Sequence, residues 1–90
     1  MEHVLPEEFD FKVLNDNKKT LVLVYADWCP YSANFKPTFE EINANNVQKK
    51  AALVNEDENP LWDRFNIQTV PTMIVFQNGN ILTRRDAKKG

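Results

Sequence analysis

The segment that most constrains the fold is the continuous apolar run TLVLVYA at residues 20–26. Its residues are mainly β-branched or aliphatic and show no polar alternation, which is typical of a central strand covered on both faces. Two shorter runs, AALVN at 51–55 and TMIVF at 72–76, have the same character. Because helical patterns separate the three runs, the sequence predicts an α/β fold.

Helix signals precede and follow the first of these strands. The stretch PEEFDFKVL, from residue 6, begins with a proline and two acids, which are favoured in a first helical turn. A second helix is predicted after residue 30, where Phe35, Phe39 and Ile42 recur at helical spacing. Pro37 lies inside this helix and is expected to kink it.

The C-terminal part predicts a short helix followed by a hairpin. Asn59 and Pro60 are expected to cap the helix. After the TMIVF strand, Asn78-Gly79 is the strongest two-residue hairpin signal and leads into a last strand, ILT. The predicted order is β-α-β-α-β-α-β-β: a mixed sheet of about five strands flanked by about three helices, in one domain over residues 1–90.

Composition narrows the classes of function. With 11 basic and 13 acidic residues the net charge is −2, so no nucleic-acid surface is expected, and the basic ending TRRDAKKG is interpreted as a solvated tail. The single cysteine excludes an intrachain disulfide and an all-cysteine metal site, and it favours a reducing, cytoplasmic compartment. No signal pattern or membrane-spanning run is present. His3 is expected at a frayed end, without a metal role.

Cys29 is the strongest candidate for chemistry. It follows the TLVLVYA strand after a short turn and precedes a helix that opens with Pro30. The sulfur is therefore expected at a helix N-terminus, where free N–H groups and the positive end of the helix dipole stabilise a thiolate. Because the thiolate is the form that attacks disulfides, Cys29 is interpreted as an exposed nucleophile rather than a core cysteine.

The sequence around Cys29 resembles the thioredoxin family. The matching segments are VYADWCPYS at 24–32, Pro37, NEDENPLWDRFNIQTVPT at 55–72 and VPTMIVFQNGN at 70–80, which together cover nearly the whole chain. The resemblance implies a thioredoxin-like fold and thiol–disulfide exchange with Cys29 as the nucleophile. It also implies that the Val70–Pro71 peptide bond is cis and lies against Cys29.

The same resemblance implies a substrate-binding site beside the cysteine. The backbone next to Pro71 would pair with an extended, disulfide-bearing protein substrate. Trp28, Pro30, Tyr31 and Val70 are the other candidate contacts, and ordinary packing is the alternative for the two aromatic residues. A thioredoxin reductase is a candidate partner, and no metal or cofactor is expected apart from glutathione in one alternative below.

Ser32 stands where the family has its second, resolving cysteine. In the dithiol mechanism the first thiolate forms a mixed disulfide and the second thiol releases it, which a hydroxyl cannot do. Net reduction by this domain alone is therefore excluded, although a serine at position 32 can still donate a hydrogen bond to the Cys29 sulfur. The serine is either natural, as in monothiol relatives, or a Cys→Ser change that freezes a mixed disulfide, and the sequence leaves both open.

Two further departures from the family concern the core and the chain end. Leu23 and Leu53 stand where the family often has a buried acid and its lysine partner. Losing only one of the two charges would leave the other buried without a partner. Losing both leaves packed hydrocarbon and is therefore tolerated. The chain ends about where the family's last helix begins, so that helix is expected to be missing and one sheet face less covered. Trp62, on the short helix, is expected to pack rather than function.

The leading hypothesis, exchange through Cys29, has two alternatives. The Cys-Pro-Tyr-Ser sequence and the TVP at 69–71 also resemble a glutaredoxin site that uses glutathione. The glycine pair and following acid that grip glutathione are absent, since Gly79 and Gly90 are the only glycines. The other alternative is a non-catalytic thioredoxin-fold module that captures a peptide beside Pro71.

Overall fold

A computed structural model describes residues 2–42 and 45–87, which form a five-stranded sheet with helical segments on both faces. The strands are β1 (Glu2–His3), β2 (Thr20–Tyr25), β3 (Gln48–Leu53), β4 (Thr72–Gln77) and β5 (Asn80–Asp86). Their spatial order is β1-β3-β2-β4-β5. The first three strands are parallel, whereas β4 is antiparallel to both β2 and β5. The predicted mixed sheet and element order are confirmed.

Three helical segments connect the strands, as predicted. The N-terminal helical segment is a 3-10 turn over Pro6–Glu8 that continues as a π-helical turn over Asp10–Leu14. Helix α1 covers Pro30–Glu41, and α2 is a single turn over Leu61–Arg64. Within the described ranges, no helix has the length and apolar character that crossing a membrane requires.

Two apolar layers lie on opposite faces of the sheet. The first apolar layer includes Phe9, Val13, Val22, Val24, Leu61, Ile74 and Phe76. The second apolar layer includes Leu23, Tyr25, Phe39 and Ala51, with Phe35 and Leu53 packed against it. Successive residues of β2 alternate between the two layers, which explains why the TLVLVYA run lacks polar positions. Each fully buried Phe or Leu contributes about 1.5–3 kcal/mol relative to exposure.

The predicted start of β3 is wrong. The strand begins at Gln48, three residues before the predicted Ala51, and includes Lys49 and Lys50. The sequence did not predict this start, because charged residues such as the two lysines are ordinarily expected outside a buried strand. Lys50 is buried, and its Nζ donates to the Lys12 carbonyl oxygen at 2.6 Å, so its aliphatic stem packs while its charge keeps a partner.

The chain termini also differ from expectation. Residues 83–86 of the predicted solvated tail belong to β5, which pairs with β4 through Thr72 and Asp86. Arg84 fastens this strand, since its Nη1 donates to the Phe65 carbonyl oxygen at 2.6 Å. The rest of that tail, at 88–90, lies outside the described residues. His3 is not in a frayed end: it belongs to β1, and its Nε2 lies 2.8 Å from the Tyr25 hydroxyl oxygen.

The predicted hairpin between β4 and β5 is confirmed. Asn78 and Gly79 form its two-residue turn with φ values of 53° and 79°. Both values are in the left-handed region that a type I′ turn requires, and asparagine and glycine are the residues that adopt it most readily.

The C-terminal end of α1 is closed by a lysine from β3. Lys49 Nζ donates to the carbonyl oxygens of Phe39 at 3.2 Å, Glu40 at 2.8 Å and Ile42 at 2.8 Å. The last carbonyls of a helix have no partner within it, and a cation is favoured at that end. This single ammonium group therefore fixes the end of α1 to the sheet.

Replacing Lys49 by methionine should lower the free energy of unfolding by about 1–3 kcal/mol, because it removes charge-assisted hydrogen bonds from these carbonyls. Urea denaturation would measure the change. Lys19→Met is the matched control, since Lys19 is exposed on the loop before β2. Equal stability of the two variants would contradict a capping role for Lys49.

Candidate functional site

Cys29 lies in the turn between β2 and α1. It is the N-cap residue of α1, with φ −96° and ψ 119°, and its carbonyl oxygen accepts the Ala33 N–H at 3.0 Å. Pro30 occupies the first helical position, which suits a residue without an N–H. The Cys29 N–H donates to the Ala26 carbonyl oxygen at 3.2 Å and closes the turn. The structure thus places the sulfur at the N-terminal end of α1.

The Cys29 sulfur faces the Val70–Pro71 loop. The Val70–Pro71 peptide bond is cis. Cys29 Sγ lies 3.6 Å from the Val70 carbonyl oxygen, to which its S–H donates. Cys29 is half-buried and packs against the first apolar layer, so the residue is not fully enclosed. An incoming disulfide could therefore reach the sulfur beside this loop.

The loop is held by side chains on both sides of its proline. Thr72 Oγ1 donates to the Thr69 carbonyl oxygen at 2.8 Å. Thr69 Oγ1 donates to the Ala87 carbonyl oxygen at 2.8 Å, and the Ala87 N–H donates to the Pro71 carbonyl oxygen at 3.0 Å. Ala87, the residue that follows β5, therefore anchors this loop. Sequence reasoning missed the two threonines, although they flank Val70-Pro71 directly.

Ser32 has a partner other than the Cys29 sulfur. It is fully buried, and its Oγ accepts the Ala26 N–H at 3.3 Å. A hydrogen bond from Ser32 to the Cys29 sulfur, which the sequence allows, is absent from the part of the chain that the structure describes. The hydroxyl turns toward the end of β2 because that buried N–H needs an acceptor. Ser32 therefore supports the backbone of the turn that carries Cys29.

Two tryptophans stack beside the cysteine. Trp28 is 59% exposed, and its ring lies 6.4 Å from the Trp62 ring, centroid to centroid, with 17° between their planes. Trp28 Nε1 donates to the Asn55 carbonyl oxygen at 2.9 Å, and Trp62 Nε1 donates to the Glu56 carbonyl oxygen at 3.1 Å. Trp62 packs as expected, against the first apolar layer and against the ring of Trp28. Tyr31 is likewise 59% exposed.

Asn55 links the turn before Cys29 to the end of β3. Its Oδ1 accepts the Asp27 N–H at 2.8 Å, and its Nδ2 donates to Asp27 Oδ2 at 3.3 Å. Sequence reasoning did not identify Asn55, because no local signal indicates a partner 28 positions away. Asp27 itself is exposed, as expected.

Leu23 and Leu53 lie in the second apolar layer, where Leu23 is fully buried and Leu53 packs against the cluster. Hydrocarbon thus occupies both positions at which the family often places a charge pair. Because neither position carries a charge, no buried ion is left without a partner.

Known proteins resemble this chain in both sequence and fold. The family model described as Thioredoxin matches residues 1–90. The chain belongs to the thioredoxin family. A thioredoxin of Rickettsia bellii (strain RML369-C) is 32% identical over 90 residues, covering 98% of this chain and 83% of that protein. The family membership supports a thioredoxin-like redox function.

A fusion protein and a solved structure also resemble this chain. The bifunctional thioredoxin reductase/thioredoxin of Mycobacterium leprae (strain TN) is 36% identical over 89 residues, covering 97% of this thioredoxin-family chain and 19% of that protein. The crystal structure of Chlamydomonas reinhardtii thioredoxin f2 superimposes with a TM-score of 0.84 at 16% identity, covering 96% of this chain and 82% of that one. This likeness confirms the thioredoxin-like fold.

Replacing Ser32 by alanine should lower the free energy of unfolding by about 1–3 kcal/mol, because the buried Ala26 N–H then loses its acceptor. Urea denaturation of the two proteins would show the difference. Thr38→Ala is the matched control, since it removes an exposed hydroxyl from the same helix. If both variants are as stable as the unaltered protein, the bond between Ser32 and Ala26 contributes nothing.

Proposed function

We propose that this thioredoxin-family protein exchanges disulfides through Cys29 alone, with Ser32 in the position of the resolving thiol. The proposal depends on one observation: Cys29 is half-buried at the N-terminus of α1, and its sulfur lies 3.6 Å from the Val70 carbonyl oxygen. The thiolate is the species that attacks a disulfide. A cysteine in this position is suited to attack on an external disulfide.

The exchange begins when the Cys29 thiol releases its proton to water. The thiolate attacks one sulfur of the substrate disulfide, so that the old S–S bond breaks as a new S–S bond to Cys29 forms. The departing sulfur leaves as a thiolate with the bonding electron pair and takes up a proton from water. One disulfide is lost and one is formed, so the step involves no net oxidation or reduction.

Release of the mixed disulfide requires an external thiol. Ser32 has no sulfur to attack with, and its Oγ is buried and bound to the Ala26 N–H. A cysteine of a thioredoxin reductase is one source of that thiol, and the Mycobacterium leprae relative carries such a reductase in its name. Glutathione is the other source, and it would make turnover resemble that of a monothiol glutaredoxin.

The proposed substrate is a protein segment that lies extended along the Val70–Pro71 loop. The backbone of this loop would pair with the segment, and Trp28, Pro30 and Tyr31 would contact its side chains. The hydrogen bonds from Thr69 and Ala87 support this role, because they hold the loop in place before a substrate arrives. The single domain over residues 1–90 and a reducing, cytoplasmic location remain predictions.

A second candidate function is peptide capture without chemistry. The observation that favours it is the partner of Ser32: its hydroxyl supports the backbone rather than the sulfur. The apolar pair Leu23 and Leu53 agrees with it, because no acid at these two positions would accept a proton. In such a module, binding beside Pro71 would not depend on the sulfur of Cys29.

The reduced protein should form a persistent mixed disulfide when it is incubated with an excess of a peptide dimer joined by one intermolecular disulfide, since the departing thiol then diffuses away. The adduct accumulates because no second thiol lies within the domain to release it. Intact-mass spectrometry would detect the adduct, and peptide mapping would place it on Cys29. The Cys29→Ser variant should form no adduct.

The Ser32→Cys variant tests the same mechanism by supplying the missing resolving thiol. The introduced thiol should attack the mixed disulfide, release the peptide as a thiol and leave an internal disulfide, so two electrons pass from the protein to the peptide disulfide. Absence of an adduct in the unaltered protein would contradict the exchange. Peptide binding that is equally tight in the Cys29→Ser variant would favour the binding module.

A further inference from the structure

The stacked pair of Trp28 and Trp62 holds an exposed aromatic ring in one orientation next to Cys29. Both indole N–H groups donate to carbonyl oxygens of consecutive residues, Asn55 and Glu56, at 2.9 Å and 3.1 Å. The rings are nearly parallel, at 17°, with their centroids 6.4 Å apart. The two hydrogen bonds and the stacking contact therefore fix the Trp28 ring, although Trp28 is 59% exposed.

Trp62 provides the base of this pair. It lies on α2, is half-buried and packs against the first apolar layer. Its ring is thus tied to the core, whereas the Trp28 ring extends over the surface. A ring that is already fixed loses little conformational freedom when a ligand binds to it, so its contacts contribute more fully to affinity.

Three acidic residues adjoin the two tryptophans along the chain or through a backbone contact. Asp27 precedes Trp28, Glu56 supplies the carbonyl that binds Trp62, and Asp63 follows Trp62; all three are exposed. A lysine or arginine over an indole face is attracted by the ring quadrupole. The exposed carboxylates of these three residues would add to that attraction and would repel an anionic side chain. The exposed ring thus fits a cationic side chain of a substrate better than a neutral or acidic one.

We propose that Trp62 is a positioning residue that fixes Trp28 as a substrate-contacting platform, and that this platform favours disulfide substrates with a lysine or arginine near the reactive cysteine. The inference rests on the proposed exchange at Cys29 and adds the substrate class to it. The covalent step is unchanged, because the platform affects only how long and in which orientation the substrate disulfide stays beside the sulfur.

The test compares rates of mixed-disulfide formation with three peptide disulfides that differ only in a lysine, glutamine or glutamate beside the cysteine. Hydroxyethyl disulfide, which has no side chain for the platform, serves as the reference. The lysine peptide should react roughly two- to fivefold faster than the glutamine peptide, the range expected for an exposed cation–π contact. In the Trp62→Leu variant, the ratio of the lysine-peptide rate to the reference rate should fall by a similar factor.

Leu14→Ala is the matched control, because Leu14 is half-buried against the same apolar layer but lies on the N-terminal helical segment. It should keep the preference for lysine. Trp62→Phe keeps an aromatic ring and should restore part of the preference. The two indoles are the only tryptophans of the chain, so their coupled circular-dichroism signal should disappear in both Trp62 variants.

The outcomes distinguish a failure of the platform from a failure of the exchange at Cys29. Equal rates for the three peptides, or a fall of all rates by one factor in Trp62→Leu, would overturn the platform while the exchange stands. No reaction with any of the four disulfides would overturn the exchange and the platform together. A faster reaction of the glutamate peptide would contradict the predicted charge preference.

Discussion

The whole site depends on the pairing of β2 with its two neighbours. β2 pairs with β3 in parallel through Tyr25 and Leu53, and with β4 in antiparallel through Val24 and Thr72. The ends of β2 and β3 and the beginning of β4 therefore meet at one edge of the sheet. These three points lead into the Cys29 turn, the Asn55 loop and the Val70–Pro71 loop, so the strand register brings together segments that are remote in sequence.

Local signals in the sequence predicted the elements that depend on local physics. The apolar run of β2, the Asn78-Gly79 turn and the start of α1 each follow from the conformational preferences of adjacent residues. The start of β3 and the length of β5 could not be predicted in this way. Lys49 and Lys50 are tolerated in β3 because carbonyl oxygens at the end of α1 and in the N-terminal helical segment accept their ammonium hydrogens, and Glu2 pairs with Lys50.

The candidate site was predictable only in part, for the same reason. The position of Cys29 before α1 follows from the sequence, but its approach to Val70, 41 residues away, came from family resemblance rather than from a local pattern. The stack of Trp28 on Trp62 and the bonds made by Asn55 had no local signal at all. Polar and aromatic side chains have several acceptable partners, so only the fold decides which one each of them meets.

The contacts of Ser32 and the apolar pair Leu23 and Leu53 agree with a site that has one thiol. The Ser32 oxygen accepts a buried backbone N–H, whereas sulfur is a weaker hydrogen-bond acceptor and would serve that N–H less well. A resolving thiol at this position would have to release its proton to water, because neither Leu23 nor Leu53 could accept it. The serine and the two leucines therefore agree with the proposed exchange, in which the turn presents one reactive sulfur and an outside thiol releases the product.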